Sequence, residues 1–217
     1  MRGIWRSRPP QPKYTKTWEV NKVLSYLGKL DENASLPLKT LTLKLAMPMA
    51  LTAAKRCGEL ARLDIRFMQK SEKEIIFILP TLSKNGKANC QVSFQKLDKD
   101  SSVCVIACLE EYLRRTESLR PDNNHSLLLS YVKPHNGVKP CTVARWLKTV
   151  MSLSGIDTSI FKAHSTRGAS CSKAFNKGVS VAEIMKVADW SSTSTFKKFY
   201  KKDCEENKNT FISVVLE

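Results

Sequence analysis

Residues 36–63, LPLKTLTLKLAMPMALTAAKRCGELARL, constrain this chain most. Leu, Ala and Met dominate the stretch at helical spacing, which commits the chain to a largely helical core. Pro37 suits a helix start, where a missing N–H costs nothing. Pro48 should kink or divide the segment. Other helices follow from the same periodicity. TWEVNKVLSYLGKL (17–30) carries an apolar stripe at Val20, Val23, Leu24 and Leu27, and Asp31 to Ala34 reads as a turn. The pattern is helical again from Val103 to about Thr116, and TVARWLKTVMSLSG (142–155) is an amphipathic helix stopped by Gly155. Two further helices are expected over 164–177 and 181–188. The exception is IIFILP (75–80), an apolar β-branched run, followed by SKNGK and then CQVSF (90–94). That order predicts a β-hairpin. LLLSY (127–131) reads as a short strand or strand-like edge. The fold class expected is mainly α with a small antiparallel β-sheet (α+β).

The chain has 217 residues, which suits one large domain or one and a half small ones. Hydrophobic residues make up 42%, which argues against wholesale disorder. The formal net charge is +16. Such an excess is either a solvated surface or the footprint of a polyanion partner, because clustered Lys and Arg displace counterions from nucleic acid. No apolar run approaches the ~20 residues of a membrane helix, and the basic start MRGIWRSRPPQPKY lacks the apolar region of a secretory signal. The seven cysteines are scattered. Cys104 and Cys108 sit four apart on an expected helix, a spacing that suits core packing better than metal ligation. With three histidines and no CxxC pair, a zinc site is poorly supported. No metal or cofactor is expected, and a reduced intracellular compartment fits best.

Three stretches could carry chemistry. In AAKRCGELARL (53–63), Arg56 precedes Glu59 by three residues in an apolar helical setting. The pair is either a helix-surface ion pair or a partly buried guanidinium held by its carboxylate, its remaining donors free to fork onto phosphate oxygens. In KAHSTRGAS (162–170), His164 and Arg167 share a helix face and could grip one anion. In VADWSSTSTFKKFYKKD (187–203), Trp190 and Tyr200 are either packed core aromatics or parts of a site. A phenol among Lys197, Lys198, Lys201 and Lys202 sits in positive potential that favours phenolate and attracts a phosphodiester, and a phenol oxygen can act as a covalent nucleophile.

The order of these features resembles the catalytic domain of the tyrosine recombinase, or phage integrase, family: R-x-x-E-L, a hairpin lysine, H-x-x-R, a tryptophan, then a tyrosine. The likeness runs from about residue 17 to 202. It is nearest to recombinases of eukaryotic mobile elements of the DIRS-like and Crypton-like kinds, through H-x-x-R and W…T-F-x-x-F-Y. The resemblance implies DNA strand cleavage and rejoining through a 3′-phosphotyrosyl intermediate, without ATP or metal. It implies that Arg56 and Arg167 clamp the scissile phosphate and that His164 donates to it or takes the tyrosine proton. Trp190 would occupy the place of a second histidine, with Tyr200 as nucleophile. Glu59 would orient Arg56. The general-acid lysine falls in LSKNGK, on Lys84 in preference to Lys87. Lys162, Lys197, Lys198 and Lys201 are expected to contact DNA.

The partners implied are double-stranded DNA and further copies of the chain, with no membrane. The location implied is the nucleus if the source is eukaryotic, the cytoplasm otherwise. The expected organisation is a basic arm or linker over 1–16, the catalytic domain over 17–203 and a tail over 204–217. The family's N-terminal core-binding domain is expected to be largely absent, as in a fragment, a degenerate element copy or a protein whose other half lies elsewhere. The arm, with Arg2, Arg6 and Arg8, would either lie along DNA or be a linker remnant. The apolar FISVVL (211–216) would either pack on its own core or dock on a neighbouring copy. Two other functions remain open: a non-catalytic DNA-binding protein that kept the fold, and a type IB topoisomerase.

Overall fold

The computed structural model describes residues 11–80, 90–97, 102–120 and 123–202. Helix α1 (Val20–Gly28) buries the stripe read from the sequence, with Val20, Val23 and Leu27 inside. The Glu19 side chain caps it by accepting from the Asn21 N–H.

Helix α2 (Leu38–Ala53) is the centre of the fold, with twelve of its sixteen residues buried. It continues through Pro48, so of the kink or division expected there, the division does not occur. Proline removes one backbone hydrogen bond, but a helix enclosed by α4, α5 and α6 is held by packing on every side. The break comes instead at Ala54, which adopts a left-handed backbone (φ 47°, ψ 32°). The one-turn helix α3 (Cys57–Leu60) follows.

A three-stranded antiparallel sheet comes next, in the order β1 (Met68–Lys70), β2 (Glu74–Leu79), β3 (Cys90–Gln95). The β2–β3 pair is the hairpin expected from the sequence, with Phe77 opposite Val92. Ile75, Phe77, Leu79, Val92 and Phe94 turn inward, and the Phe77 and Phe94 rings meet edge-on at 6.2 Å. Strand β1 was not expected. Its three residues show no apolar alternation and pair along the outer edge of β2.

Helix α4 (Val105–Thr116) buries both Cys104 and Cys108, so their spacing serves packing. Burial pushes the Cys108 thiol up to about 12. The expected strand at 127–131 reduces to one isolated bridge, Leu129 with Gly137, and a second bridge pairs Asp64 with Ser126 just before it. The Leu129 N–H donates to the buried Tyr112 hydroxyl at 2.9 Å, which satisfies backbone that a ladder would otherwise serve. Helix α5 (Pro140–Leu153) ends before Gly155, which takes φ +76°. Helices α6 (Ser165–Asn176), α7 (Val181–Ala188) and α8 (Thr193–Phe199) complete the fold.

Most of the elements share one core. A second, smaller cluster joins Ala54, Cys171, Ile184, Ala188, Trp190 and Phe196, with Tyr200 packed against it. Among the described residues no helix is long and apolar enough to cross a membrane.

Candidate active site

The second cluster positions the chemistry. At the α2–α3 junction, the left-handed turn at Ala54 sets Arg56 in extended backbone (φ −75°, ψ 151°) as the cap of α3. Arg56 is therefore not inside a helix, as its setting had suggested. Its relation to Glu59 is a reciprocal cap. The Arg56 N–H donates to Glu59 Oε2 at 2.7 Å and its Nη1 donates to Oε1 at 3.1 Å. One carboxylate thus fixes both the backbone and the head of the arginine. The Arg56 side chain keeps 26% exposure while that of Glu59 keeps 7%, so the guanidinium stays accessible.

Helix α6 presents the next pair. Its start is locked from below, where Trp18 Nε1 donates to Ser165 Oγ at 2.9 Å and that hydroxyl donates to the Lys162 carbonyl at 2.7 Å. His164 caps the helix and is exposed. Arg167, one turn on, is 2% exposed. Its Nη2 donates to the Ala188 carbonyl, while Nε and Nη1 are buried without a hydrogen-bond partner. The guanidinium carbon lies 4.6 Å from the Trp190 ring centre and 6.0 Å from that of Tyr200. Burial, and next the neighbouring Arg56, push Arg167 below the usual guanidinium value; Tyr200 and Glu59 oppose the shift. Two cations close enough to disfavour one another, one with unused donors, describe a site prepared for an anion.

Helix α7 ends at Asp189 in left-handed backbone (φ 52°), which turns the chain so that Trp190 packs inward. Trp190 lies 5.7 Å from the buried Phe196 ring and 4.2 Å from the Tyr200 ring, tilted by 30°. Tyr200 follows α8 directly. Its N–H donates to the Phe196 carbonyl at 2.9 Å, and its own carbonyl accepts from Ser172 Oγ. The half-buried phenol then reaches His164, with the hydroxyl 3.2 Å from Nε2. When Nε2 carries no proton, the phenol is the donor in that bond and the imidazole can receive its proton.

Six of the expected residues, Arg56, Glu59, His164, Arg167, Trp190 and Tyr200, therefore gather at one place. Lys84 and Lys87 lie outside the described residues, as do Arg2, Arg6, Arg8 and the FISVVL segment. Lys197, Lys198 and Lys201 are exposed, Lys201 with its ammonium 4.7 Å from the Phe175 ring centre. Lys162 is exposed too, but its ammonium donates to the carbonyls of Thr158 and Ser159 at 3.0 and 2.8 Å. Tyr14, inside the expected arm of residues 1–16, packs against Phe161 with ring centres 5.4 Å apart.

Sequence reading missed two contributors. Ser172 holds the Tyr200 backbone, and a serine in mid-helix gives no signal for that. Lys55, next to Arg56 in the chain, is 8% exposed; its signal was a lysine interrupting the apolar run before Arg56.

Comparison with known proteins agrees with this fold. XerH site-specific recombinase, in a pre-cleavage complex with difH substrate, superposes with a TM-score of 0.67 at 14% identity, over 95% of this chain and 55% of that one. XerA recombinase gives 0.63 at 20% identity, over 91% and 62%. Residues 75–356 of lambda integrase, as a dimer on a COC′ core site, give 0.56 at 15% identity, over 96% and 67%. At these identities the likeness is one of fold, and the chain spans about half the length of the XerH protein. A search of curated proteins finds no match. The Phage integrase family matches residues 18–206, which takes in every side chain of the site from Trp18 beneath α6 to Tyr200, and the chain belongs to that family.

Proposed function

We propose that this chain is a DNA breaking and rejoining enzyme, a tyrosine recombinase working through a 3′-phosphotyrosyl intermediate. The observation that carries the reading is the Tyr200 hydroxyl 3.2 Å from His164 Nε2, beside an arginine whose Nε and Nη1 are buried and unpartnered. A DNA phosphate seated between Arg56 and Arg167 would have its non-bridging oxygens held by guanidinium donors. Those donors favour the transition state, in which the oxygens carry more charge. Tyr200 Oη attacks phosphorus and its proton passes to His164 Nε2. The bond from phosphorus to the 5′-oxygen breaks, and that oxygen takes a proton from the hairpin lysine, Lys84 in preference to Lys87. A 5′-hydroxyl from another strand reverses the steps and frees the tyrosine. One phosphodiester replaces another, so the exchange is nearly balanced in energy. Trp190 supplies a ring for Tyr200 and Arg167 to pack on, and its indole N–H can donate but cannot relay a proton.

The substrate is double-stranded DNA, gripped by the exposed Lys197, Lys198 and Lys201 and matching the net charge of +16. Residues 17–203 form the catalytic unit, with 1–16 as an arm and 204–217 as a tail. The unit works as a homo-oligomer on DNA. The W…T-F-x-x-F-Y segment supports an origin in a DIRS-like or Crypton-like mobile element, which would place the protein in the nucleus.

The test is capture of a covalent adduct from a pool of nicked duplexes randomised around the nick, in which the short downstream fragment bearing the new 5′-hydroxyl is lost after cleavage. The chain should retain DNA under denaturing conditions, and Tyr200→Phe should not. DNA binding with no adduct from the unaltered chain would favour a non-catalytic DNA-binding protein.

A further inference from the structure

Tyr14 touches both segments that carry the reacting pair. Its hydroxyl accepts from the Lys162 N–H at 3.2 Å, two residues before His164. Its carbonyl accepts from Lys202 Nζ, two residues after Tyr200. Between these contacts its ring rests against the buried Phe161. Four residues on, Trp18 is buried and donates to Ser165 Oγ at the start of α6. Residues 14–18 are therefore a strap, fixed in the core at Trp18 and joined to both active-site segments at Tyr14.

Neither segment is held there by regular structure. Lys162 and Ala163 precede α6, and Lys201 and Lys202 follow α8. Yet the 3.2 Å contact of Tyr200 Oη with His164 Nε2 spans them, and a catalytic pair has to be held within about 0.5 Å of its working geometry. Lys202 is fixed a second time, where its N–H donates to Ser172 Oγ on α6 at 3.3 Å. Lys162, Tyr14, Lys202 and Ser172 thus close a ring of contacts around the pair, and Tyr14 is its only member from outside the stretch 162–202.

We propose that Tyr14 is a positioning residue of the strand-cleavage reaction, holding the Tyr200 segment against the His164 turn so that the phenol meets the imidazole. The inference rests on the recombinase reading.

The test compares single-turnover adduct formation at saturating nicked duplex. Misplacing reacting groups by about 1 Å costs about 100-fold, so Tyr14→Ala should react about 10- to 100-fold more slowly and Lys202→Met about tenfold more slowly. Tyr14→Phe keeps the ring and the carbonyl and should fall between Tyr14→Ala and the unaltered chain. Lys202→Arg should recover most of the rate, because a guanidinium also donates to a carbonyl. Tyr14→Ala and Lys202→Met cut one link, so their losses should not add in the double variant. Tyr14→Ala should bind duplex as the unaltered chain does. Normal rates in Tyr14→Ala and Lys202→Met, no recovery in Lys202→Arg, additive losses, or a slowing that follows weaker binding or loss of fold would each overturn the inference.

A second measurement uses the free chain. Of the signals from its three histidines, the imidazole nitrogen resonance that moves in Tyr200→Phe reports the contact with His164. It should move the same way in Tyr14→Ala and Lys202→Met, and a resonance that stays still overturns the inference whether or not DNA is cleaved. If it moves but the unaltered chain gives no adduct, the recombinase reading fails while the hold of Tyr14 on the pair stands.

Discussion

Replacing Arg167 with leucine separates a residue held for chemistry from one held for stability. The guanidinium donates once to a carbonyl, that of Ala188, and lies 4.6 Å from the Trp190 ring centre. Losing a hydrogen bond from a charged donor costs about 1.5–3 kcal/mol, and losing a desolvated cation–π contact costs about 2 kcal/mol. Against this, Nε and Nη1 are buried and unpartnered. Each unsatisfied donor costs about 1–3 kcal/mol, and the buried charge itself several more. The two idle donors alone cost about 2–6 kcal/mol, and with the buried charge counted this matches or exceeds the loss of about 3.5–5 kcal/mol, so Arg167→Leu should be no more than about 2 kcal/mol less stable than the unaltered chain in urea. Cleavage should collapse. Losing one preorganised donor to a charged transition state costs about 10²–10³ in rate, and this substitution removes two. The assay pairs urea denaturation with single-turnover adduct formation. A loss of more than about 4 kcal/mol, well beyond the typical range for a point change, with activity falling only as the unfolded fraction rises, would refute the reasoning. So would cleavage within tenfold of normal.

Ser172→Ala removes the hydroxyl that donates to the Tyr200 carbonyl and accepts from the Lys202 N–H at 3.3 Å. It should cost about 1 kcal/mol of stability and slow adduct formation about tenfold or more through misplacement of the phenol, while duplex binding stays unchanged in a gel-shift titration. Cys108 gives a pH signature. Burial raises its thiol from 9.0 to about 12, so its contribution is whole below pH 9 and is lost as pH climbs toward 12. The slope is at most about 1.4 kcal/mol per pH unit. Cys108→Val should flatten urea-derived stability between pH 9 and pH 11 relative to the unaltered chain, and parallel curves would sink this reading.

The helices were legible because each carries its own apolar stripe, as Val20, Val23 and Leu27 do on α1. The hairpin was legible because Ile75, Phe77 and Leu79 alternate against Val92 and Phe94 across a turn signal. What escaped depends on tertiary packing. Alanine has no preference for left-handed backbone, so nothing at Ala54 announces the break, while Pro48 announces one that the surrounding core overrides. Strand β1 borrows its pairing from β2.

The site follows the same division. Arg56, His164, Arg167, Trp190 and Tyr200 were readable as an ordered set, though none was persuasive alone. The hold of Glu59 on Arg56 was readable too, as a local pair three residues apart. The rest of the geometry was not: that Arg167 leans on Trp190 and that Ser172 fixes Tyr200 both need elements brought together from across the chain.

The central claim is that Tyr200 attacks a DNA phosphate held between two arginines. Protease digestion of the covalent adduct, followed by peptide mass mapping, tests it most directly. The account predicts one modified peptide, with a nucleotide 3′-phosphate on Tyr200 and a free 5′-hydroxyl on the released strand. DNA attached to any other residue, or through a 5′-phosphate, would contradict it.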